Sequence, residues 1–332
     1  MNSSSAWTEM LEEFRTLGGV AENIRLAEGP FGRGLFPIDP SKPVHINIPE
    51  NLLVSVDHVT VENNQFRVSS ESPVSARERA FLEAYERDFA WGPGRSAMER
   101  FLSAMNELPE DLRGTLSTKF GLGRFFHPLS PDSLKDWFFT TRMINHSGRA
   151  VVMPIVEMAN HGGTASYDAR SGMGLHGLFG SEVLVRYVPS ADPLLMFQNW
   201  GFAPNEPMGF SLSVQTKFAG RPLDIGREFR DSSVPFVPTT TVKDDRIVLS
   251  FVLLGHKNYP RVAKGAFRRA LASVKLADPD ELYDFIQFAN RQDFLDLLSK
   301  LEGLDLAAVP PLRNLALNQL AALSWHFGVR AV

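Results

Sequence analysis

The sequence predicts an α+β protein, in which short strands are interrupted by a block of helices. Glycine and proline separate strand-like segments at close intervals between Ile24 and Val59, where Val44–Ile48 alternates apolar and polar residues. Helical patterns with capping signals follow from Ser75, and strand-like segments return at Val151. Parallel βαβ units need a long crossover helix after each strand, and this order does not supply one. A sheet of short, irregular strands is therefore expected.

The N-terminal part of the chain begins with a predicted helix over residues 6–18. Its apolar residues recur at helical spacing, and Gly18 marks its end. The apolar face consists of Trp7, Met10, Leu11 and Phe14. Strand signals follow, of which the last is the apolar segment Leu52-Leu53-Val54 after Pro49.

A helical block is predicted inside the strand-rich part, over about residues 75–145. Two pairs of residues have the spacing of a capping box, in which side chain and backbone bond reciprocally at a helix start: Ser75 with Glu78, and Ser96 with Glu99. They precede helical patterns over 80–89 and 98–105. A third helix is predicted to begin at Ser130, with Pro131 in its first turn, and to run towards Asn145.

The strands are predicted to resume at Val151 and to continue to Phe202. A boundary near residue 205 divides the chain into a predicted domain of residues 1–205, which contains the helical insertion, and a domain of residues 206–332. The second domain is predicted to contain a strand over 210–218, a hairpin over 239–254 around Asp244-Asp245, and helices over 263–274, 278–290 and 315–325.

The composition of this chain of 332 residues excludes several classes of protein. It has no cysteine, so disulfides and thiolate metal sites are excluded, and its eight histidines include no H-x-x-x-H pair. Its net charge of −4 argues against sequence-independent nucleic-acid binding, and no apolar run reaches membrane-spanning length. We therefore expect no metal, no nucleic-acid partner, no membrane association and a cytoplasmic location.

The charge is distributed unevenly along the chain. Residues 217–275 contain twelve Lys and Arg residues against five Asp and Glu residues. Such a stretch predicts either an ordinary solvated face or a docking surface for an acidic partner, and the residues alone leave both open.

The candidate functional residues follow one another in a fixed order. They are Gly32-Arg33-Gly34-Leu35, Arg142, Glu157, Asn160-His161, the turn 180–183 with a strand over 183–187 that ends at Tyr187, and Trp200-Gly201-Phe202. The glycine pair lacks the third glycine and the long helix of a dinucleotide fingerprint, and neither a P-loop nor a G-x-S-x-G elbow is present. An Asn-His pair at the end of a buried apolar strand is unusual, because both side chains need polar partners there.

This order of motifs resembles the SET-domain protein methyltransferases, and specifically the branch typified by the Rubisco large-subunit lysine methyltransferase. The resemblance covers most of the chain. It implies a SET-domain fold of short strands with a pseudoknot and a helical insertion, followed by a mostly α-helical C-terminal domain that binds the protein substrate. It also implies S-adenosylmethionine as the cofactor and N-methylation of a protein side chain, with lysine as the first candidate acceptor.

The resemblance implies cofactor-binding roles for residues of the first domain. The loop that contains Gly32, Arg33, Gly34 and Leu35 passes close to the cofactor in the family, where glycine lets the backbone approach and Arg33 contributes mainly main-chain groups. The Asn160-His161 pair would lie at the knot-like crossing and bind the amino-acid end and adenine of the cofactor. Without the resemblance, these motifs also fit a plain β-turn and a buried histidine bonded to backbone.

Other matches depart from the family pattern or have structural alternatives. Arg142 falls where a family arginine pairs with the cofactor carboxylate, but an ordinary arginine on a helix surface is also possible. Glu157 stands where relatives commonly carry aspartate. Trp200 and Phe202 stand where relatives place aromatic residues that line the lysine channel or contact the cofactor, although relatives have tyrosine before the glycine; both also fit a core.

Tyr187 matches the family's catalytic tyrosine, and the chemistry explains why a hydroxyl belongs there. Methyl transfer from a sulfonium is an in-line displacement, so the incoming amine must be neutral and aligned. Lysine has an unperturbed pKa of about 10.4, so removing its proton at pH 7 takes roughly 4–5 kcal/mol. A dry aromatic channel and the positive sulfur lower that free energy, and the hydroxyl orients the nitrogen lone pair. A buried strand tyrosine without a catalytic role is the structural alternative.

Three other functions remain open from the sequence. Members of the same branch methylate histidine with the same architecture. The second alternative is a SET-fold module that binds cofactor or protein without turnover. It stays open because Glu157 and Trp200 depart from the family pattern. An unrelated α+β protein is the third.

Overall fold

The computed structural model describes residues 3–128, 130–169, 172–188, 190–228, 236–259, 261–274 and 278–324. Helices and short strands are interleaved along them, so the chain is an α+β protein, as predicted. It forms two compact units. The first comprises Met1–Arg100 with Pro128–Pro189, and the second comprises Phe101–His127 with Ser190–Val332.

The helices and strands are short, apart from one long helix near the C-terminus. The helices are α1 (Ser3–Thr16), α2 (Ala76–Asp88), α3 (Trp91–Asn106), α4 (Glu110–Thr118), α5 (Pro131–Arg142), α6 (Pro193–Trp200), α7 (Val262–Ala270), α8 (Pro279–Leu301) and α9 (Val309–Ser324). The strands are β1 (Val20–Glu22), β2 (Ile24–Gly29), β3 (Gly32–Pro37), β4 (Val44–Ile48), β5 (Val59–Glu62), β6 (Gln65–Val68), β7 (Met143–His146), β8 (Arg149–Val152), β9 (Asn160–Ala165), β10 (Met173–Gly177), β11 (Leu184–Val185), β12 (Met208–Phe210), β13 (Val214–Phe218), β14 (Arg221–Ile225), β15 (Thr240–Lys243), β16 (Arg246–Leu249) and β17 (Leu253–His256).

The first unit contains the small sheets. Strands β1, β4 and β10 form one antiparallel sheet with β4 in the centre, and β2–β3, β5–β6 and β7–β8 form antiparallel pairs. Strands β9 and β11 pair in parallel. Val44, Ile46 and Ile48 of β4 are fully buried, as their period-two spacing predicts. Helix α1 packs its apolar face inward, and its Phe14 stacks on Phe81 of α2.

The second unit contains a mixed sheet and the C-terminal helices. The sheet has the strand order β13-β14-β16-β15, in which β14 and β16 are parallel. The predicted hairpin is confirmed, with Asp244 and Asp245 at positive φ between β15 and β16. Asp278 caps α8, as its place before Pro279 indicates, and the helix runs to Leu301, eleven residues past the predicted end. The predicted last helix is present as α9, and its end at Trp325 lies outside the described residues.

The two capping-box spacings gave one confirmed helix start and one wrong one. Ser75 accepts from the Glu78 amide while the Glu78 side chain accepts from the Ser75 amide. Ser96, by contrast, lies inside α3 and caps nothing. That helix begins earlier, where the Trp91 amide donates to the Glu86 carboxylate at 3.2 Å.

Three strand or helix boundaries were predicted wrongly. The segment after Pro49 forms a 3₁₀ turn over Glu50–Leu52 instead of a strand. Ser130 caps α5 as predicted, but the helix ends at Arg142, because Met143–His146 pairs with the next strand in a hairpin. Strands do not continue to Phe202, since Pro193–Trp200 is helix α6.

The two compact units divide the chain at other positions than the two predicted domains. Residues 101–127, which the sequence places in the helical insertion, belong to the second unit, and that unit resumes at Ser190. The division into residues 1–205 and 206–332 stays a prediction.

Candidate active site

The β2–β3 hairpin carries Gly32 and Gly34. Gly32 follows the turn opposite Gly29 and has a φ of +87°, in the left-handed region that favours glycine. Gly34 is glycine for another reason: a Cβ atom there would lie 2.4 Å from Glu182 Oε1 and 2.6 Å from Asn160 Nδ2. The hairpin backbone therefore approaches two side chains as closely as a residue without a side chain allows.

Asn160 and His161 open strand β9 instead of ending an apolar strand, so that prediction is wrong. Ile155, with a φ of +70°, turns the chain out of the extended conformation before them. The Asn160 Nδ2 group donates to Glu182 Oε1 at 2.6 Å and to the Arg33 carbonyl at 3.4 Å. The pair thus connects β9 to the glycine hairpin, 127 residues earlier in the chain.

The segment that ends at Tyr187 is bound on two sides. The Val183 amide donates to the Leu35 carbonyl at 2.8 Å, and Leu184 pairs in parallel with Asn160. Only Leu184–Val185 of the predicted strand 183–187 is strand. A main-chain hydrogen bond to β3 and a parallel pairing with β9 therefore bring three distant parts of the sequence together.

Tyr187 contacts the Asn-His pair directly. Its hydroxyl donates to the Ala159 carbonyl at 3.0 Å, and its amide donates to His161 Nδ1 at 3.3 Å. Burial raises the pKa of the Tyr187 hydroxyl to about 12, against an opposing effect of the Arg142 cation. The hydroxyl is therefore protonated at neutral pH and acts as a hydrogen-bond donor and acceptor, not as a base.

A buried group of ionisable side chains lies beside the Asn-His pair. Arg142, at the end of α5, has its Nη1 4.0 Å from Glu157 Oε2 and its guanidinium carbon 5.1 Å from the Phe138 ring centre. The Glu157 side chain is only 1% exposed, and neither of its oxygens lies within hydrogen-bond geometry of a donor in the residues that the structure describes. Arg142 keeps 27% of its side chain exposed.

Glu86 of α2 belongs to the same buried group. Burial raises the pKa of the Glu86 carboxyl well above its ordinary value, and the neighbouring Glu157 raises it further. Burial also raises the pKa of Glu157, while Arg142 lowers it. Two buried carboxyls beside one guanidinium cannot both ionise without leaving an uncompensated negative charge, so each disfavours ionisation of the other.

The structure brings most of the predicted site residues together in the first unit. Gly34 packs against Asn160, whose Nδ2 donates to the Arg33 carbonyl. The Leu35 carbonyl accepts from the Val183 amide, in the segment that ends at Tyr187. The charges of Arg142 and Glu157 act on the Tyr187 hydroxyl. The Arg33 main chain contributes the carbonyl, while its guanidinium donates to the Phe89 carbonyl at the end of α2.

Trp200 and Phe202 belong to the second unit. Trp200 is the last residue of α6, and Gly201 caps that helix with a φ of +76°. Phe202 follows, 38% exposed. Their predicted cofactor or channel contacts stay a prediction.

Sequence reasoning did not assign roles to four residues near this site: Tyr85, Glu86, Tyr167 and Glu182. Burial raises the pKa of the Tyr167 hydroxyl, and the nearby Tyr187 adds to this effect. Glu86 lies four residues after Leu82, so helical spacing is the signal that could have placed it on the buried face of α2. No local pattern places Tyr167 near Tyr187, because only the fold brings them together.

The described residues contain neither a membrane-spanning helix nor a group of metal ligands. No helix among them is long and apolar enough to cross a membrane. Within the same ranges, no three His, Asp or Glu side chains form a group that could hold a metal ion.

Comparison with known proteins gave only distant structural similarity. No family model matches the sequence, and no curated protein matches it significantly. Among solved structures, Rubisco LSMT bound to AdoMet is 13% identical with a TM-score of 0.47, over 99% of this chain and 91% of that one. The SET domain of LSMT bound to lysine and AdoHcy is 12% identical with a TM-score of 0.45, over 97% and 90%. Similarity at this level says nothing about the ligand of the present chain, so its function is argued from its own residues.

Proposed function

We propose that this chain is an S-adenosylmethionine-dependent protein N-methyltransferase, with a lysine side chain of a protein as the acceptor. One observation supports the proposal: the glycine hairpin, the Asn-His pair and the segment of Tyr187, which are distant in sequence, are joined by hydrogen bonds. The Asn160 amide bonds the Arg33 carbonyl, and the Tyr187 hydroxyl bonds the Ala159 carbonyl next to Asn160.

The residues present fit the zwitterionic end of the proposed cofactor. S-adenosylmethionine supplies a methyl group on a positively charged sulfur when it is bound. Arg142 suits its carboxylate, because a guanidinium pairs well with a carboxylate and Glu157 lies 4.0 Å from Arg142 Nη1, beyond hydrogen-bond distance. The side-chain oxygen of Asn160 suits its ammonium group, since the Asn160 nitrogen is already used.

Tyr187 would orient the acceptor nitrogen without removing its proton. With a pKa of about 12, its hydroxyl holds its own proton, which it donates to the Ala159 carbonyl, and a hydroxyl oxygen can also accept a hydrogen bond from an amine. The Arg142 cation and the buried surroundings both disfavour a charged ammonium, which lowers the pKa of the incoming amine. The amine proton is therefore lost to water before transfer.

The partner is proposed as a class of molecule, and the location as a compartment. The partner is a protein, docked by the C-terminal domain of residues 206–332, and the basic stretch 217–275 would favour an acidic one. We place the reaction in the cytoplasm.

The proposal is tested by binding and by one substitution. Calorimetry should detect micromolar binding of S-adenosylmethionine and S-adenosylhomocysteine, equivalent to about −8 kcal/mol. Tyr187→Phe keeps the ring but deletes the hydroxyl that orients the amine. The kcat for methyl transfer to a protein captured from lysate should fall about 10- to 1000-fold, while cofactor affinity stays within a few-fold.

The outcomes separate the alternatives. Equal rates for wild type and Tyr187→Phe would mean that Tyr187 is a core aromatic. Cofactor binding without transfer to any protein would favour a binding module. Methylated histidine instead of lysine in the product, identified by mass spectrometry, would change the acceptor but not the reaction.

A further inference from the structure

Glu182 is a buried carboxylate at the edge of the candidate site with one oxygen used and one unused. The residue is 6% exposed. Its Oε1 accepts from Asn160 Nδ2 at 2.6 Å, whereas its Oε2 makes no hydrogen bond with the part of the chain that the structure describes. Burying a carboxylate is unfavourable unless its oxygens are paired or hydrogen-bonded.

The backbone around Glu182 fixes the position of its carboxylate. The next residue, Val183, bonds the Leu35 carbonyl at 2.8 Å. Two of the three glycines of the facing hairpin make room for the carboxylate, since a Cβ atom on Gly34 would lie 2.4 Å from Oε1 and one on Gly29 would lie 3.0 Å from Oε2. The carboxylate is thus enclosed between the hairpin and strand β9.

A carboxylate in this position dictates which way the Asn160 side chain faces. A carboxamide has two donor hydrogens on nitrogen and one acceptor oxygen, and an ionised carboxylate only accepts. The nitrogen of Asn160 must therefore face Glu182, where its second hydrogen reaches the Arg33 carbonyl at 3.4 Å. The Asn160 oxygen, to which the described residues make no hydrogen bond, is left to face a ligand.

We infer that Glu182 is a positioning residue that orients Asn160 so that its Oδ1 accepts a hydrogen bond from the ammonium group of the bound methyl donor. This inference rests on the proposed function. Without Glu182, only the longer hydrogen bond of 3.4 Å to the Arg33 carbonyl holds the Asn160 nitrogen in place, so the carboxamide also turns to present its nitrogen to the ligand. An N–H group pointed at an ammonium repels it, so selectivity for ligands that carry the ammonium group is lost.

The test compares two ligands, S-adenosylhomocysteine and an analogue that lacks its α-amino group. Wild type should bind S-adenosylhomocysteine about 10- to 100-fold more tightly than the analogue, as expected for one hydrogen bond to a charged group. Glu182→Met keeps the length of the side chain but removes the acceptor, and the ratio should fall below about 3-fold. Glu182→Gln keeps an acceptor oxygen, so the ratio should stay within about 3-fold of wild type. Glu62→Gln, on the exposed face of β5, is the matched control and should change nothing.

Each outcome decides a different point. A purely structural role for Glu182 predicts that Glu182→Met weakens both ligands equally, and that result would overturn the inference. An unchanged ratio would overturn it as well. If wild-type protein binds neither ligand, the proposed function fails together with the inference; if wild type binds both equally, only the inference fails.

A second pair of variants applies if Glu182→Met does not fold. Asn160→Asp places two carboxyls at the former hydrogen-bond distance and should abolish binding of S-adenosylhomocysteine at neutral pH. Adding Glu182→Gln supplies a donor and reverses the polarity of the pair, so binding should return to within about 5-fold of wild type. Failure of the double variant to recover binding, with its thermal unfolding unchanged, would overturn the inference.

Discussion

The identity of residue 34 is set by its neighbours and not by its backbone angle. Gly32 is needed for a left-handed φ of +87°, whereas Gly34 has no such angle and is enclosed by Glu182 and Asn160. A methyl group cannot enter that space unless the hydrogen bond between these two side chains breaks. The same close approach that favours glycine therefore keeps Asn160 in place.

Gly34→Ala should consequently weaken S-adenosylhomocysteine binding more than about 10-fold, because the Cβ displaces Asn160 Nδ2 from Glu182. Gly180→Ala is the matched control. A Cβ at Gly180 meets no atom within 4 Å, so its affinity should stay at the wild-type value. Calorimetry on both variants checks the prediction, and equal affinities in the two would contradict it.

At the scale of single residues, the sequence could predict the polar Asn-His pair but not the charged residues that are buried beside it. Asn160-His161 stands out because two polar residues follow an apolar run. The buried partners of the pair do not stand out, since Glu86 and Glu182 are ordinary glutamates until the fold encloses them. A local pattern reports which face a residue occupies, but it does not report which distant charge lies opposite.

At the scale of elements, one buried aspartate organises the helix that carries Trp200. Asp192 is fully buried at the N-cap of α6. Its Oδ1 accepts from the Leu195 amide at 2.8 Å and from Arg227 Nη2 at 2.7 Å. Its Oδ2 accepts from the Phe210 amide at 3.1 Å and from Gln319 Nε2 at 2.8 Å. All four donors lie in the second unit, so this carboxylate ties α6 to β12 and α9 there.

Asp192→Ala should lower the free energy of unfolding by about 3–5 kcal/mol, because it removes a buried carboxylate that accepts four hydrogen bonds, one of them from the Arg227 guanidinium. Asp278→Ala removes the cap of α8 at an exposed position and should lower it by only about 1 kcal/mol. Chemical denaturation of both variants measures the difference. Similar losses in the two would show that the Asp192 network adds no more than an ordinary helix cap.

Helix starts were predictable where a cap is local and unpredictable where tertiary contacts compete. Ser75 and Ser130 cap their helices as their sequences indicate. Ser96 has the same spacing, but the buried Glu86 carboxylate starts α3 five residues earlier, at Trp91. The Asp192-Pro193 pair is a helix-start signal of the same kind as Ser130-Pro131. It marks α6, although the surrounding segment was predicted to be strand.

At the scale of the whole molecule, the buried carboxyls of the first unit make stability depend on pH. Glu86 on α2 faces Glu157 and Arg142, and Tyr85 lies beside it. Burial raises the pKa of Glu86 well above its ordinary value near 4.5, so the folded chain holds a proton that the unfolded chain releases. Above pH 4.5 the unfolded state binds fewer protons than the folded state, and stability falls as pH rises towards the folded pKa.

Glu86→Gln should remove this dependence, because an amide keeps the acceptor for the Trp91 amide but never ionises. Between about pH 5 and 8, the free energy of unfolding of wild type should fall relative to the variant, by up to about 1.4 kcal/mol per pH unit while Glu86 stays protonated when folded. The free energy of unfolding of the variant should therefore rise relative to that of wild type as pH rises, and the two should be most similar near pH 5. Urea denaturation at intervals of one pH unit measures both curves, with Glu12→Gln, on the exposed face of α1, as the control that follows wild type. Parallel curves for Glu86→Gln and wild type would mean that Glu86 is ionised in the folded protein and that Arg142 neutralises it, with Glu157 holding the proton instead.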